Sequence, residues 1–571
     1  MVTTFTKKFA CGVQLRVEGT TPGVCFSIKD DIKAMKEFFS SRSRRAALAI
    51  TLATTLGTSA AGADADDVFG LFSATGQPVL ATDSHPRITA NSYLATNRPQ
   101  SAESTDREED AGSSAAEQNQ NGGDGFVPRA DYEELLNRVD ELESSWTGYV
   151  EDQKADAEAN KKKTSYKLNG RVHLDQWSFT QSDPGVNFLE SGNPLQDPQD
   201  RWNFRRIRLT YTGTVPGNML FRMMIDFNNP NEPELKDCFL GFDNLPNNQQ
   251  LLIGNQKRPI GLDHLNSSRH NVFIERPLAV ETFNEDARRL GACVYGYTDD
   301  TVFNWRYGPF LLENIADDGR YRGDFDESGL YGRLAASPWY DEISGGRGYY
   351  HCAIAGSVNQ TDGDGTIDDD DNDNEARFRT RPLARSTSRW WDTGRILGAN
   401  TYQQLAFESM LNIGAFQLTG EWIHTWLQRD ASGGFNGDDL YFHGGYLYAN
   451  YFLTGEFIPL KRTAGVIDRV KPFENFFVVE RCRGGTGTGW GALSVGIRAD
   501  YLDLSDSDIR GGDGYAITAS TNWYWTAHSK LQTNFIVGEI DNAGQGRANG
   551  PLLAGVEGDF NILGFRYMID F

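Results

Sequence analysis

From Tyr166 to Phe571 apolar and polar residues alternate with a period of two, which is the pleat of a β-strand rather than the turn of a helix. Tyr166, Leu168, Gly170, Val172 and Leu174 share one face. In Arg201 to Val215, Ile207, Leu209, Tyr211 and Val215 oppose Arg206, Arg208, Thr210 and Thr212. After the turn Val215-Pro216-Gly217-Asn218 the pattern resumes, with Met219, Phe221, Met223, Ile225 and Phe227 set against Arg222 and Asp226. Later, Phe416, Leu418, Trp422 and Trp426 oppose Gln417, Thr419, Glu421 and Thr425; Leu493, Val495, Ile497 and Tyr501 oppose Ser494, Arg498 and Asp500. A soluble sandwich also alternates, but its inner face is a dry core where unpaired charge is costly. Charge recurring on one face of so many strands requires a wet interior, and the apolar face then requires lipid outside. The pattern predicts an all-β fold, a transmembrane antiparallel β-barrel over 165–571.

The last strand, GFRYMIDF, carries the same signal in its sharpest form. Phe565, Tyr567, Ile569 and Phe571 share one face, and Arg566 and Asp570 share the other. We read the strand as closing the barrel, and its aromatic end as an assembly signal for barrel-assembly machinery. Trp523, Tyr524 and Trp525 precede the short turn at 526–530, where an aromatic girdle at the membrane interface would lie. Short turns alternate with longer, more polar connections, as periplasmic turns and external loops do. No segment of the mature chain is apolar enough over about 20 residues to cross a bilayer as a helix, whereas a barrel with a polar lumen passes that test. The net charge of −23 disfavours nucleic-acid or anionic-lipid partners.

Ahead of the barrel the composition shifts twice. Within 1–63 the stretch RSRRAALAITLATTLGTSAAGA gives an arginine cluster, an apolar run and small residues at Ala61 and Ala63, a secretory signal by this pattern. Met35-Lys36 supplies an ordinary positively charged start for it, so Met35 is the expected initiator. Residues 64–128 have too few large apolar side chains to offset the entropy of ordering and read as a disordered linker. Within 129–160, Tyr132, Leu135, Val139, Leu142, Trp146 and Tyr149 recur at spacings of three and four, the seam of a short coiled coil. A single amphipathic helix lying on the barrel or envelope remains the alternative.

The remaining reactive residues point to no enzyme, metal or cofactor. Cys238, Cys293 and Cys352 lie in strand-like apolar runs where a thiol acts as a small hydrophobe; Cys11 and Cys25 precede the expected cleavage site, and Cys482 lies in a Gly-rich stretch. Among the eight histidines, His424, His443 and His528 are scattered, with no Ser, His and acid grouped at adjacent strand ends. The run TDGDGTIDDDDNDNE at 361–375 lacks the spaced ligands of an EF-hand and reads as a solvated external loop whose field repels anions.

Seven stretches in order resemble the phosphate-selective porin O and P family. They are NFRRIRLTYTG at 203–213, ELKDCFLGF at 234–242, LLIGNQKRPIGLDHLNSSRHNVFIERPL at 251–278, ARFRTRP at 376–382, ANYFLTGEFIP at 449–459, RVKPFENF at 469–476 and ALSVGIRADYLDLSDSDIRGG at 492–512. The resemblance implies a homotrimer of barrels of about 16 strands in the outer membrane, each with a pore narrowed by inward loops. It implies passive passage of small anions such as phosphate or polyphosphate past an arginine ladder. Arg205 and Arg206 match the paired arginines of the family motif, Ser267 and Ser268 its hydroxyl pair, and Asp237 its constriction carboxylate. Two positions depart from it: His264 stands where a lysine is expected, and Arg208 where an aromatic is.

Guanidinium forks suit tetrahedral oxyanions, and rings of cations select anions. Because Arg205 and Arg206 are adjacent, alternation puts only one into the lumen unless a bulge re-aims the other. Arg206 shares parity with Arg208 and is the expected principal contact. The bland readings are an arginine network with Asp226 and Asp237 across the wall, and turn roles for Ser267 and Ser268. A general porin that also tethers the envelope is the competing function.

Overall fold

The computed structural model describes residues 129–571 apart from 162, 230, 286, 313–326, 362–375, 431–436, 481–484 and 545–554. The expected signal segment, the linker, Cys482 and the acidic run beyond Thr361 lie outside the described residues. Helix α1 (Arg129–Lys161) covers the predicted seam, and Val139, Leu142, Trp146 and Tyr149 on it are exposed.

The period-two segments become strands. The first eight are β1 (Ser165–Ser182), β2 (Arg201–Val215), β3 (Met219–Asp226), β4 (Glu234–Leu245), β5 (Gln249–Lys257), β6 (Arg288–Tyr297), β7 (Phe303–Leu311) and β8 (Ser328–Tyr340). They are followed by β9 (Gly348–Gln360), β10 (Ala399–Ile413), β11 (Phe416–Arg429) and β12 (Leu440–Phe452). The last four are β13 (Ala492–Asp506), β14 (Ile509–Thr526), β15 (Ser529–Ala543) and β16 (Val556–Asp570). Each pairs antiparallel with its chain neighbour, and β16 returns to β1, with Arg171 opposite Asp570 and Trp177 opposite Gly564. The result is a closed barrel of sixteen strands.

Burial inverts the pattern of a soluble protein. Leu168, Leu330, Val358 and Ile569 point outward and are 61, 60, 57 and 53% exposed, while Asp175 and Arg566 point inward and are 0 and 1% exposed. Wide apolar exposure on one face of a whole sheet makes sense only against hydrocarbon. Among the described residues no helix is long and apolar enough to cross a membrane.

Two segments fold into the barrel from opposite ends. Residues 258–287, between β5 and β6, leave the wall at Gly261, whose φ of 82° suits glycine. They form α2 (Leu262–Leu265) and α3 (Leu278–Phe283) and cross to the far wall. Val272, Phe273, Ile274, Leu278 and Phe283 are buried there, with Phe273 edge-on to Tyr448 at 5.5 Å. Residues 453–491 join β12 to β13 at the end where every other connection is a short turn, so not every long connection is external. Their ribbon, Leu460–Lys461 with Val466–Ile467, enters the lumen, where Arg333, Arg306 and Asn304 donate to the carbonyls of Gly465, Ala464 and Arg462. The two segments meet where Ile467 N donates to Asn266 Oδ1 at 3.1 Å.

Closure is tight at Phe571. Its backbone pairs with Gly170 at 2.9 and 3.1 Å, and its ring lies where a side chain at position 170 would have to go, 2.3 Å from an ideal Cβ. Gly332 also faces outward but has nothing within 4 Å of its ideal Cβ. Gly170→Val and Phe571→Ala should therefore both lower the yield of heat-modifiable folded barrel in outer-membrane fractions, and Gly332→Val should not. Equal yields for all three would refute this account of closure.

Candidate functional site

What the inward segments leave open is a cavity of about 970 Å³ along the inner faces of β1 to β6. Seventeen arginines and lysines line it against seven carboxylates, so its wall is cationic in a chain of net charge −23. Strand parity puts Arg171 of β1 opposite Arg208 of β2, and His173 opposite Arg206. The next pair is Leu174 with Phe204, which leaves Arg205 as the extra residue of a bulge. That bulge brings both arginines of the adjacent pair to the cavity, since Phe204 before them is exposed on the outer wall.

The arginines are not equivalent. Arg205 grips Glu275 with Nε at 2.8 Å and Nη2 at 3.2 Å. Arg208 donates from Nε to Asp226 Oδ2 at 2.6 Å. Asp237 of β4 is likewise buried between Arg288, which donates Nε to its Oδ1, and Arg222 at 3.4 Å. Arg206 is different: it is buried, and its Nε and Nη1 have no hydrogen-bond partner among the described residues. A guanidinium so placed costs several kcal/mol unless something from the lumen completes it.

The hydroxyl pair divides as well. Ser268 Oγ accepts from Arg171 Nη1 at 2.8 Å and is buried on the cavity wall. Ser267 serves its own turn, accepting His270 N at its carbonyl at 2.9 Å and Arg269 N at its Oγ at 3.4 Å, though it too lines the cavity. His264 is buried in α2, and burial first, then Lys257 and Arg276, drives its pKa well below the usual imidazole range. It is therefore neutral at physiological pH. Lys257 supplies a cation nearby, but its Nζ is engaged with the carbonyls of His264, Leu265 and Asn266 at 2.6, 3.2 and 2.9 Å.

Sequence reasoning missed Arg171, Arg288 and Glu275. Arg171 had a usable signal, since it shares strand parity with Asn169, His173 and Asp175; Arg288 did not, because it shares parity with Leu290, Ala292 and Val294, and Glu275 had none, because it acts from a loop. Glu275 joins the segment to both walls, accepting from Arg205 on one side and from Arg566 Nη2 at 2.8 Å on the other. Arg498 Nη1 donates to its carbonyl at 3.1 Å, Lys530 Nζ to that of Asn271 at 2.7 Å, and Asp500 accepts from Leu278 N at 3.2 Å.

Burial opposes charge on Glu275, yet Arg205, Arg566 and Arg206 overcome it and hold the carboxyl well below the usual range. With a folded value below an unfolded value of about 4.3, its anchoring is complete above that unfolded value and is lost as pH falls toward the folded one. Planar-bilayer recordings should show steady current near neutrality and added flicker as pH drops below about 4. Glu275→Gln should flicker at every pH. A variant as quiet as the wild type would remove Glu275 from this role.

The family model described as phosphate-selective porin O and P matches residues 140–571. A Caulobacter vibrioides protein described as uncharacterized is 26% identical over 430 residues, covering 71% of this chain and 74% of that protein. Among solved structures, an anion-selective porin from Comamonas acidovorans aligns at a TM-score of 0.42 and 13% identity, covering 71% of this chain and 100% of that one. OmpT of Vibrio cholerae, in its trimer form, aligns at 0.41 and 9%, covering 72% and 99%. On the match across 140–571, together with the closed barrel and its cationic lumen, this chain belongs to the phosphate-selective porin O and P family and is an outer-membrane channel rather than an enzyme.

Proposed function

We propose that the channel passes small solutes by diffusion with a preference for anions, and that tetrahedral oxyanions of the phosphate class are its favoured cargo. The observation that carries this reading is Arg206, a buried guanidinium with two unpartnered nitrogens on the wall of a cationic cavity. Arg205, adjacent in sequence, and the bonded pair Arg171 and Ser268 line the same cavity as further contacts, and Asp237 and Arg208 shape the wall by pairing. In loop 376–398 the guanidinium of Arg385 has its pKa pulled down to about 10 by Arg205, by burial and by Arg381, and it still carries its charge at neutral pH. At an effective dielectric of about 20, a charge about 4 Å from a permeant ion contributes about 4 kcal/mol before screening. One arginine can thus set the sign of selectivity at a constriction.

In a salt gradient the wild-type reversal potential should report anion preference, and Arg206→Ala should move it toward cations with a severalfold fall in permeability ratio. A cation-selective wild type would defeat the proposal and leave a general porin.

We infer that the protein works as a homotrimer. Support comes from the exposed apolar stripe Val139, Leu142 and Trp146 on α1, which ends just before β1 at the short-turn end of the barrel. That end faces the periplasm in outer-membrane barrels, so α1 also suits an envelope tether. Outer-membrane lipids against the apolar wall and barrel-assembly machinery acting on the β16 end complete the proposed partners. Short helices are marginal alone. Val139→Asp with Leu142→Asp should leave the native mass trimeric while making 129–161 protease-sensitive; a monomeric wild type would end the idea.

A further inference from the structure

We propose that the channel has a second station, on the inner faces of β3 to β5, that binds oxyanions carrying an apolar body, the aryl and alkyl monoesters of phosphate. The proposal rests on the anion-channel reading above and names a class of solute within it.

Closure sends apolar side chains to lipid, so an apolar side chain on the inner parity of a strand is an exception. Tyr448 is one, and the segment 258–287 covers it with Phe273. Leu220 of β3, Phe239 of β4 and Leu252 of β5 are exceptions of another kind. They share parity with Arg222, Asp237 and Gln250, while Met223, Leu240 and Ile253, on the opposite parity, are exposed on the outer wall. All three line the open cavity. The ladder also sets them together: Leu220 and Leu252 both lie opposite Gly241 and approach the space its missing side chain leaves, two residues along β4 from Phe239. Apolar wall facing water rewards any solute that covers it, and about 55 Å² removed from water on binding is enough for about a tenfold gain in affinity.

Arg222 supplies the charged half of the site. Its guanidinium lies over the Phe239 ring, 5.6 Å from the centroid, and its side chain is 43% exposed. Its one hydrogen bond among the described residues goes to Asp237 Oδ2 at 3.4 Å, and Arg288 holds the other oxygen of that carboxylate. Two guanidiniums thus share one carboxylate, which leaves positive charge over for an entering anion.

The station is separate from the constriction. Arg222 stands opposite Thr212, six residues along β2 from Arg206 and nearer the short-turn end. Six residues span about 20 Å of strand, too far for one small ester to bridge. At this station the oxyanion head meets Arg222, and the apolar body meets Leu220, Leu252 and Phe239. Inorganic phosphate has only the head and gains only that half.

The full-length protein in planar bilayers would carry chloride current at a mildly alkaline pH, where phosphate monoesters are dianions. Phenyl phosphate and glucose monophosphate, esters of equal charge whose rings are apolar and polar respectively, are titrated as blockers. Phenyl phosphate should halve the current at a concentration about tenfold lower. Equal block, tighter block by the glucose ester, or no block by either would overturn the proposal. Phe239→Ser should bring the two concentrations within about twofold of each other, and Leu220→Thr should close part of the gap. Heat-modifiability reports whether each variant has assembled, and an undiminished gap in either assembled variant would put the apolar contact elsewhere and sink the proposal. Arg222→Gln should raise both half-blocking concentrations severalfold; block by phenyl phosphate that is indifferent to this change would overturn the site as well. A cation-selective reversal potential fails the anion-channel reading instead, whereas equal block in an anion-selective pore fails this proposal alone.

Discussion

Within hydrocarbon every backbone N–H and C=O must find its partner inside the protein, and a sheet meets that demand only by closing. Here the demand is met by the pairing of β1 with β16, from Arg171 opposite Asp570 to Ser182 opposite Phe560. Once the sheet is closed, each side chain has one of two destinations, lipid or lumen, and parity assigns it. The apolar set goes out, so the charged set is concentrated inside, where it must be paired or wetted. Arg333 with Glu408, Arg566 with Asp175 and Arg498 with Asp500 meet at 2.6, 2.6 and 2.7 Å. Such pairs contribute little net stability by themselves. In this barrel each arginine has a second task, because it also donates to the carbonyl of an inward segment: Gly465, Ile274 and Glu275 respectively.

That double use explains where the open space lies. The apolar stretches of 258–287 are anchored from β11, β13, β15 and β16, through Glu421, Arg498, Asp500, Lys530, Gln532 and Arg566, while Arg171, Arg205 and Lys257 of β1, β2 and β5 hold only its polar edge. The segment therefore packs its apolar side against the far wall and leaves the β1 to β6 wall open to water. On the filled side charges neutralise one another across dry contacts. On the open side arginines outnumber the carboxylates able to pair with them, and Arg206 is the clearest remainder. Constriction and selectivity thus follow from one asymmetry in how the interior is filled.

The alternation of residues made the strands and their two faces legible, down to the parity of Arg206 and Arg208 on β2. It also framed the question of Arg205 correctly but could not answer it. A bulge is a property of a pair of strands, and only the register of His173 with Arg206 and Leu174 with Phe204 places the extra residue. The inward course of 258–287 was hidden for a related reason. NVFIERPL reads as an apolar run in any setting, and what draws it across the lumen is the set of donors on strands far away in sequence. The connection 453–491 went unread because the side on which a loop emerges depends on the parity of all strands before it, and β3, short and irregularly paired with β4, blurs that count.

The contrast between an acidic chain and a cationic lumen is resolved by distance. Screening confines an exposed charge to a range of about 8 Å at physiological salt, so acidic residues at the surface act on the mouth rather than on the constriction. Charges on the cavity wall act at contact distance and in a medium of lower effective dielectric, where each counts for more. Within that range the pairing pattern governs, not the total. Arg208 and Arg288 are offset by Asp226 and Asp237, Arg205 is offset in part by Glu275, and His264 contributes no charge. On the anion-channel reading proposed above, an entering ion would meet the guanidiniums left without a carboxylate partner, Arg206 and Arg171, so net charge bears on solubility and entry while those few donors would set which ion passes.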